Sequence, residues 1–237
     1  MRLRIKFRKY GPVRYIGHLD VMRFFQKAIR RAEIDVAYTQ GFSPHQIMAF
    51  AAPLGVGLTS NGEYMDIEVH SMVSCQDIMT KLNDASVPGI EIISVKILPD
   101  TAGNAMASVA AAAYTVRFRD GREPATDIAA ILPEFLAKER IPVTKKTKKG
   151  SRELDLKQGL FQLTCKNGTV SMLVDASSSG NIKPAQVMEA LLAENGESLQ
   201  ENALVITREE VYTRTEAGES GKLISLDDVG LSDADVI

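Results

Sequence analysis

Between Leu3 and Leu98 the spacing of apolar residues changes in a set order, and that order restricts the fold more than any other property of the chain. Over Met1–Lys9, Leu3, Ile5 and Phe7 alternate with Arg2, Arg4, Lys6 and Arg8, the period of a half-buried strand. Gly11-Pro12 breaks the run. From about His18 to Ala32, Val21, Phe24, Phe25, Ala28, Ile29 and Ala32 recur at helical spacing, with Arg23, Lys27, Arg30 and Arg31 on the opposite side. Ile47–Ala52 and Tyr64–Val69 read as strands, with Ser60-Asn-Gly62 as a turn signal before the second. Ser74–Leu82 reads as a helix and Ile90–Leu98 as a strand. The order β-α-β-β-α-β predicts a split ferredoxin-like unit, two helices over one face of a four-stranded antiparallel sheet.

The pattern repeats after Thr101–Ala113, a stretch rich in Ala, Gly and Ser that reads as a linker or a short helix. Tyr114–Phe118, a helix over Asp127–Lys138, paired runs at Val143–Lys149 and Arg152–Leu156, a hairpin about Asn167-Gly168, a helix over Lys183–Ala193 and a strand over Leu204–Val211 follow in turn. The hairpin count exceeds one unit by about a pair of strands. The expectation is an α+β protein of two tandem ferredoxin-like (βαββαβ) units, the second elaborated with extra hairpin strands. Residues 1–100 form an N-terminal unit with a basic surface, 101–113 the linker, 114–212 the C-terminal unit and 213–237 an acidic tail expected to be frayed.

The net charge of −2 conceals a polarity along the chain. Residues 1–31 hold ten cations (Arg2, Arg4, Lys6, Arg8, Lys9, Arg14, Arg23, Lys27, Arg30, Arg31) against Asp20, whereas residues 209–237 hold eight carboxylates against Arg214 and Lys222. A basic end of this kind suits a polyanion. Cys75 and Cys165 are too few and too far apart for a disulfide framework, a metal site or an iron–sulfur cluster. No apolar run reaches the roughly 20 residues that span a bilayer, and the charged N-terminus is unlike a signal peptide, so a cytoplasmic protein without cofactor, metal or membrane contact is expected.

Arg2, Arg4, Lys6 and Arg8 are expected to line the sheet face without helices, where Asp66 and Glu68 on the neighbouring strand offer ion pairs for two of them. Arg14, Arg23, Lys27, Arg30 and Arg31 extend the candidate nucleic-acid surface, and Tyr15, Tyr38 and Phe42 border it as candidate stacking residues. His18, Phe42, His45, Tyr64 and Asp66 are the candidate pocket. His18, Asp20 and His45 are candidates for acid–base chemistry, since imidazole titrates near neutrality, although Asp20 also suits the start of a helix. No phosphate-loop, dinucleotide or hydrolase signature is present.

Phe7-Arg-Lys9 with Gly11, Arg14-Tyr-Ile-Gly-His-Leu-Asp20 with Arg23, Arg30-Arg31, Tyr38-Thr-Gln-Gly-Phe-Ser-Pro-His45, Pro53-Leu-Gly-Val-Gly57 and Gly62-Glu-Tyr-Met-Asp66 resemble the radical-SAM-linked family of unknown function called DUF2344. Asp155-Leu, Asn181-Ile-Lys-Pro184 and Ile206-Thr-Arg208 are similar to its looser later signatures. The resemblance implies a stand-alone unit that works with a separate radical-SAM enzyme. Together with the basic N-terminus it leads to the expectation of an RNA-binding accessory without catalysis of its own. A metal-independent RNA-processing enzyme using His18 and His45, and an adaptor that docks the open sheet face on the radical-SAM partner, are the alternatives.

Overall fold

The structure, a computed structural model, describes residues 1–147, 150–215 and 221–235. It is an α+β protein with five α-helices and eleven strands among the described residues. Two compact units divide it, Met1–Ala110 with Glu210–Ile237 (unit 1) and Ala111–Glu209 (unit 2).

In unit 1, β1 (Arg2–Lys9) leads through a short 3₁₀ turn to α1 (His18–Arg31), β2 (Met48–Phe50), β3 (Thr59–Glu68), α2 (Cys75–Asp84), β4 (Ile90–Ile97) and the single turn α3 (Ala105–Ser108). β1 lies between β3 and β4, antiparallel to both, and β2 runs antiparallel beside β3. The N-terminal strands therefore stand in the order β4-β1-β3-β2, and the later strand β10 (Leu204–Arg214) also borders β3. Leu3, Ile5 and Phe7 are almost wholly buried and pack with Val21, Phe25 and Ile29 of α1 and Ile78 and Leu82 of α2. Burial of each such side chain is worth about 1.5–3 kcal/mol. The Phe7 and Phe25 rings meet edge to face at 4.7 Å. α2 starts where the Ser74 hydroxyl accepts the Asp77 N–H at 3.0 Å.

Two expectations fail in this unit. Ser60-Asn-Gly62 is not a turn but part of β3, where it forms a bulge: Phe7 stands opposite Glu63 and Lys9 opposite Ser60, so β3 has one residue more than β1 in this interval. Among the described residues after Thr213, the expected frayed tail is absent. β10 continues to Arg214, β11 (Leu223–Ser225) pairs with it, and Leu226 is fully buried. Leu231 exchanges backbone hydrogen bonds with Ile97, and the Asp233 carboxylate accepts the Cys75 N–H at the start of α2. Among the acids, Leu226 is fully buried and Leu223 and Ile224 are half-buried, which supplies the anchoring that composition alone concealed.

Unit 2 contains β5 (Ala111–Phe118), α4 (Ile128–Ala137), β6 (Pro142–Thr147), β7 (Gly150–Asp155), β8 (Leu160–Lys166), β9 (Thr169–Asp175) and α5 (Pro184–Ala193). With the start of β10, its sheet has the order β10-β5-β9-β8, while β6 and β7 pair as a separate two-stranded sheet. Asn167 and Gly168 both take positive φ, 50° and 72°, which closes the β8–β9 hairpin with the twist its strands require. The Asp127 carboxylate caps α4 through Ala129 and Ala130.

Candidate nucleic-acid interface

The four cations of β1 do not form an open patch. Arg4 is fully buried and holds Asp66 through two bonds of 2.8 and 2.9 Å, while its third nitrogen donates to the Leu226 carbonyl at 3.2 Å. Asp66 is completed by the Ala105 N–H at 3.1 Å. Lys6 pairs with Glu210 at 2.6 Å. Arg2 donates to the carbonyls of Pro99, Asp100 and Ala102, and Arg8 reaches Glu91 at 3.3 Å on the surface. The expected phosphate-binding face is instead internally neutralised, by Asp66 as the cross-strand geometry allowed and by groups brought from residues 210–226.

Tyr64 belongs to the same neutralised network. Its hydroxyl donates to Glu210 at 2.5 Å and meets the Ser225 hydroxyl at 3.0 Å, and burial next to the Glu210 carboxylate pushes its ionisation far above the ordinary range. Tyr64 and Asp66 are therefore structural rather than walls of an open pocket.

The candidate acid–base residues have separate surroundings. His18 begins α1, its ring edge-on to Phe50 at 5.2 Å, in a small recess with Phe7, Lys9, Val21 and Glu63. Desolvation there pulls the imidazole below its usual pKa. His45 is exposed and holds its own loop, its Nδ1 3.1 Å from the Thr39 hydroxyl, which also accepts the His45 N–H. Asp20 is exposed in the first turn of α1, 3.4 Å from Arg23, and Gly17 rather than a side chain occupies the cap. Among the described residues no group of three or more His, Cys, Asp or Glu side chains is placed to hold a metal.

The recess around His18 contains two charged residues that the candidate set omitted. Lys9 and Glu63 are 2% and 5% exposed, and Lys9 Nζ donates to the Arg14 carbonyl at 3.1 Å. Burial lowers the Lys9 pKa and the nearby Glu63 carboxylate opposes that shift. The signal was available: Lys9 continues the odd-numbered core series Leu3, Ile5, Phe7.

What remains open to solvent is the outer side of α1 and the loops beside it. Arg23, Lys27 and Arg30 are exposed, and Arg31 donates to the Ala85 carbonyl at 2.5 Å. Gln46 ties the following loop to this helix by donating to the Gln26 carbonyl at 3.3 Å, and Tyr38 bridges to Gln46. The loop so anchored carries Phe42, fully exposed at 111%, together with exposed Tyr38. Tyr15 is also exposed, with the Arg14 guanidinium 4.8 Å from its ring centre and donating to its hydroxyl at 2.8 Å.

The family model described as "Uncharacterized protein conserved in bacteria (DUF2344)" matches residues 2–184. The chain belongs to the DUF2344 family. Comparison with curated proteins gave no match. Among solved structures, this DUF2344 chain is similar to a chain of a "Crystal Structure of a Cbf5-Nop10-Gar1 Complex", at 10% identity and a TM-score of 0.47, over 88% of this chain and 48% of that one. It thus spans about half the length of that relative. The part that matches the DUF2344 model ends at Pro184, so Glu210, Ser225 and Leu226, which bond Lys6, Tyr64 and Arg4 respectively, lie beyond it. No helix among the described residues is long and apolar enough to cross a membrane.

Proposed function

We propose that this DUF2344 chain is an RNA-binding accessory protein whose contact surface is the solvent side of α1 with the Tyr38–His45 loop, and that it serves a separate radical-SAM enzyme. One observation carries the reading: Phe42, an aromatic ring wholly in water, sits on a loop that Gln46 fastens to the helix bearing Arg23, Lys27 and Arg30. An exposed ring beside cations suits a splayed base stacked next to its own phosphates, and stacking of this kind is worth about 1–3 kcal/mol per base. Single-stranded RNA is accordingly the substrate class. The β1 cations have no part in this surface. With two cysteines in the chain, cluster-based radical chemistry would fall to the partner. The strand orders β4-β1-β3-β2 and β10-β5-β9-β8 support reading each unit as βαββαβ, with β6–β7 inserted in the second.

Titration of the full chain with single-stranded RNA at several salt concentrations tests this. Phe42→Ala should weaken binding about 5- to 150-fold, the equivalent of one lost stack. Lys27→Gln with Arg30→Gln should reduce the salt slope by about 1.4, two phosphates at about 0.7 each. Binding that is unaffected by both variants sinks the proposal.

A second reading draws on a different observation. Tyr15, Leu19 and Val56 are 58%, 65% and 61% exposed, and the Gly57 N–H donates to the Arg14 carbonyl, joining the two loops near which these side chains stand. An apolar group of this kind suits a protein partner. The adaptor would then dock through these loops and not through the sheet face, which residues 223–226 occupy. Leu19→Glu abolishing co-purification with the radical-SAM enzyme while RNA affinity is retained would favour this role.

A further inference from the structure

At one end of the unit 2 sheet lies a cavity of about 710 Å³ that the RNA surface on α1 does not use. Its floor is apolar, made by Phe118 at the end of β5, Ile128 at the start of α4 and Val170 of β9, all of which pack in the unit 2 core. Pockets that take small molecules have about 300–1,000 Å³ and an apolar lining with a few placed polar groups.

One wall is the loop 119–127, which residues 197–202 hold in place. Arg119 Nε donates to the Asn202 carbonyl at 2.9 Å and Arg122 to the Gln200 side chain at 3.0 Å. The Glu197 carboxylate accepts the Ala125 and Thr126 N–H groups at 2.9 and 3.1 Å. A wall fixed in this way needs little ordering when a ligand arrives.

The charges lining the cavity do not neutralise one another. Arg117 of β5 and Asp120 and Glu123 of the loop all face it, yet among the described residues no hydrogen bond or ion pair engages any of the three side chains. A guanidinium takes a phosphate through paired N–H donors, whereas a carboxylate accepts from hydroxyl and amino groups. The ligand that answers both signs and the apolar floor has a phosphate, several hydroxyl or amino donors, and a flat body between them.

We propose that this cavity is a ribonucleotide site, with Arg117 on the phosphate, Asp120 and Glu123 on the sugar hydroxyls and base amino group, and the base over Phe118, Ile128 and Val170. It lies wholly within unit 2 and rests on no residue of α1 or its loop. Cys165 also lines the cavity and is half-buried, whereas Cys75 is buried, so the Cys165 thiol reports occupancy. Burial, with Asp127 nearby, pushes that thiol's pKa up, so its alkylation is followed in mildly alkaline buffer.

The test is alkylation of Cys165 in the full chain by N-ethylmaleimide, read by peptide mass spectrometry, with calorimetric titration of AMP, GMP, CMP and UMP and their nucleosides. The tightest-binding monophosphate should slow modification of Cys165. Arg117→Gln should weaken that nucleotide about 10- to 150-fold, the loss of one charged hydrogen bond, and leave its nucleoside unchanged. Asp120→Asn with Glu123→Gln should weaken nucleotide and nucleoside alike. Protection by a 5′-phosphorylated RNA as well identifies a chain end as the source, and protection by the mononucleotide alone a free nucleotide; both support the site. No protection by any of the monophosphates, equal affinity of the wild type for nucleotide and nucleoside, or equal protection by inorganic phosphate or phenylalanine each overturns the proposal. Phe42→Ala should leave the protection unchanged, so failure of the α1 surface reads out separately, as single-stranded binding insensitive to that variant.

Discussion

Arg4 and Asp66 meet in the interior of unit 1 through a two-bond contact of 2.8 and 2.9 Å, with Arg4 fully sequestered from solvent. Removing one partner strands the other as an uncompensated buried charge. Arg4→Ala or Asp66→Ala should therefore cost about 3–5 kcal/mol. Replacement of both by apolar residues of similar volume should cost much less. Urea denaturation of the single and double variants measures the difference.

Leu226 is the fully buried anchor of the segment that follows β11. Leu226→Ala should destabilise the protein by about 2–5 kcal/mol. The same change should raise hydrogen exchange at the Leu231 and Ile97 amides, which pair with each other. Unchanged stability and exchange would show that residues 223–235 are not held as described.

His18 contributes a defined pH dependence. Its pKa is lowered by desolvation in the folded protein, so the unfolded chain takes up the proton first as the pH falls. Stability is highest above the unfolded imidazole value of about 6.5 and declines as the pH drops from there towards the lower folded value. His18→Gln should flatten that part of the profile. Urea midpoints from pH 8 to 5, with an NMR titration of the ring, check both sign and source.

Phe42 and Tyr64, grouped together by the sequence, should behave oppositely. Phe42→Ala removes a ring that packs on nothing and should change stability by less than about 0.5 kcal/mol while weakening single-stranded RNA binding. Tyr64→Phe deletes the hydroxyl that donates to Glu210 and should cost about 1.5–3 kcal/mol without affecting RNA. Thermal melts and anisotropy on the two variants separate these outcomes.

The elements that local chemistry dictates were readable in advance. The α1 stripe, the Ser74 cap and the Asn167-Gly168 hairpin all depend on residues within a few positions of one another. The fate of the β1 cations was readable only in part, in the cross-strand pair of Arg4 with Asp66. Lys6 finds its counter-charge in Glu210, 204 residues later, and Arg4 finds a carbonyl at Leu226, so their neutralisation depends on strand order and on the folding of an acidic stretch. Lys9 was legible but passed over, because one more step of the alternation puts it on the core side with Phe7. The exposure of Phe42 could be suspected from its Gly and Pro neighbours, but the bond from Gln46 to α1 that fixes its place is a tertiary contact.

Unit 1 takes its strands from both ends of the sequence, Met1–Ala110 and Glu210–Ile237. During synthesis its first strand leaves the ribosome long before Glu210, Ser225 and Leu226 exist to receive Lys6, Tyr64 and Arg4. The half that is translated first is thus the one completed last, and for most of elongation Lys6 stands without the Glu210 carboxylate that answers its charge in the finished protein.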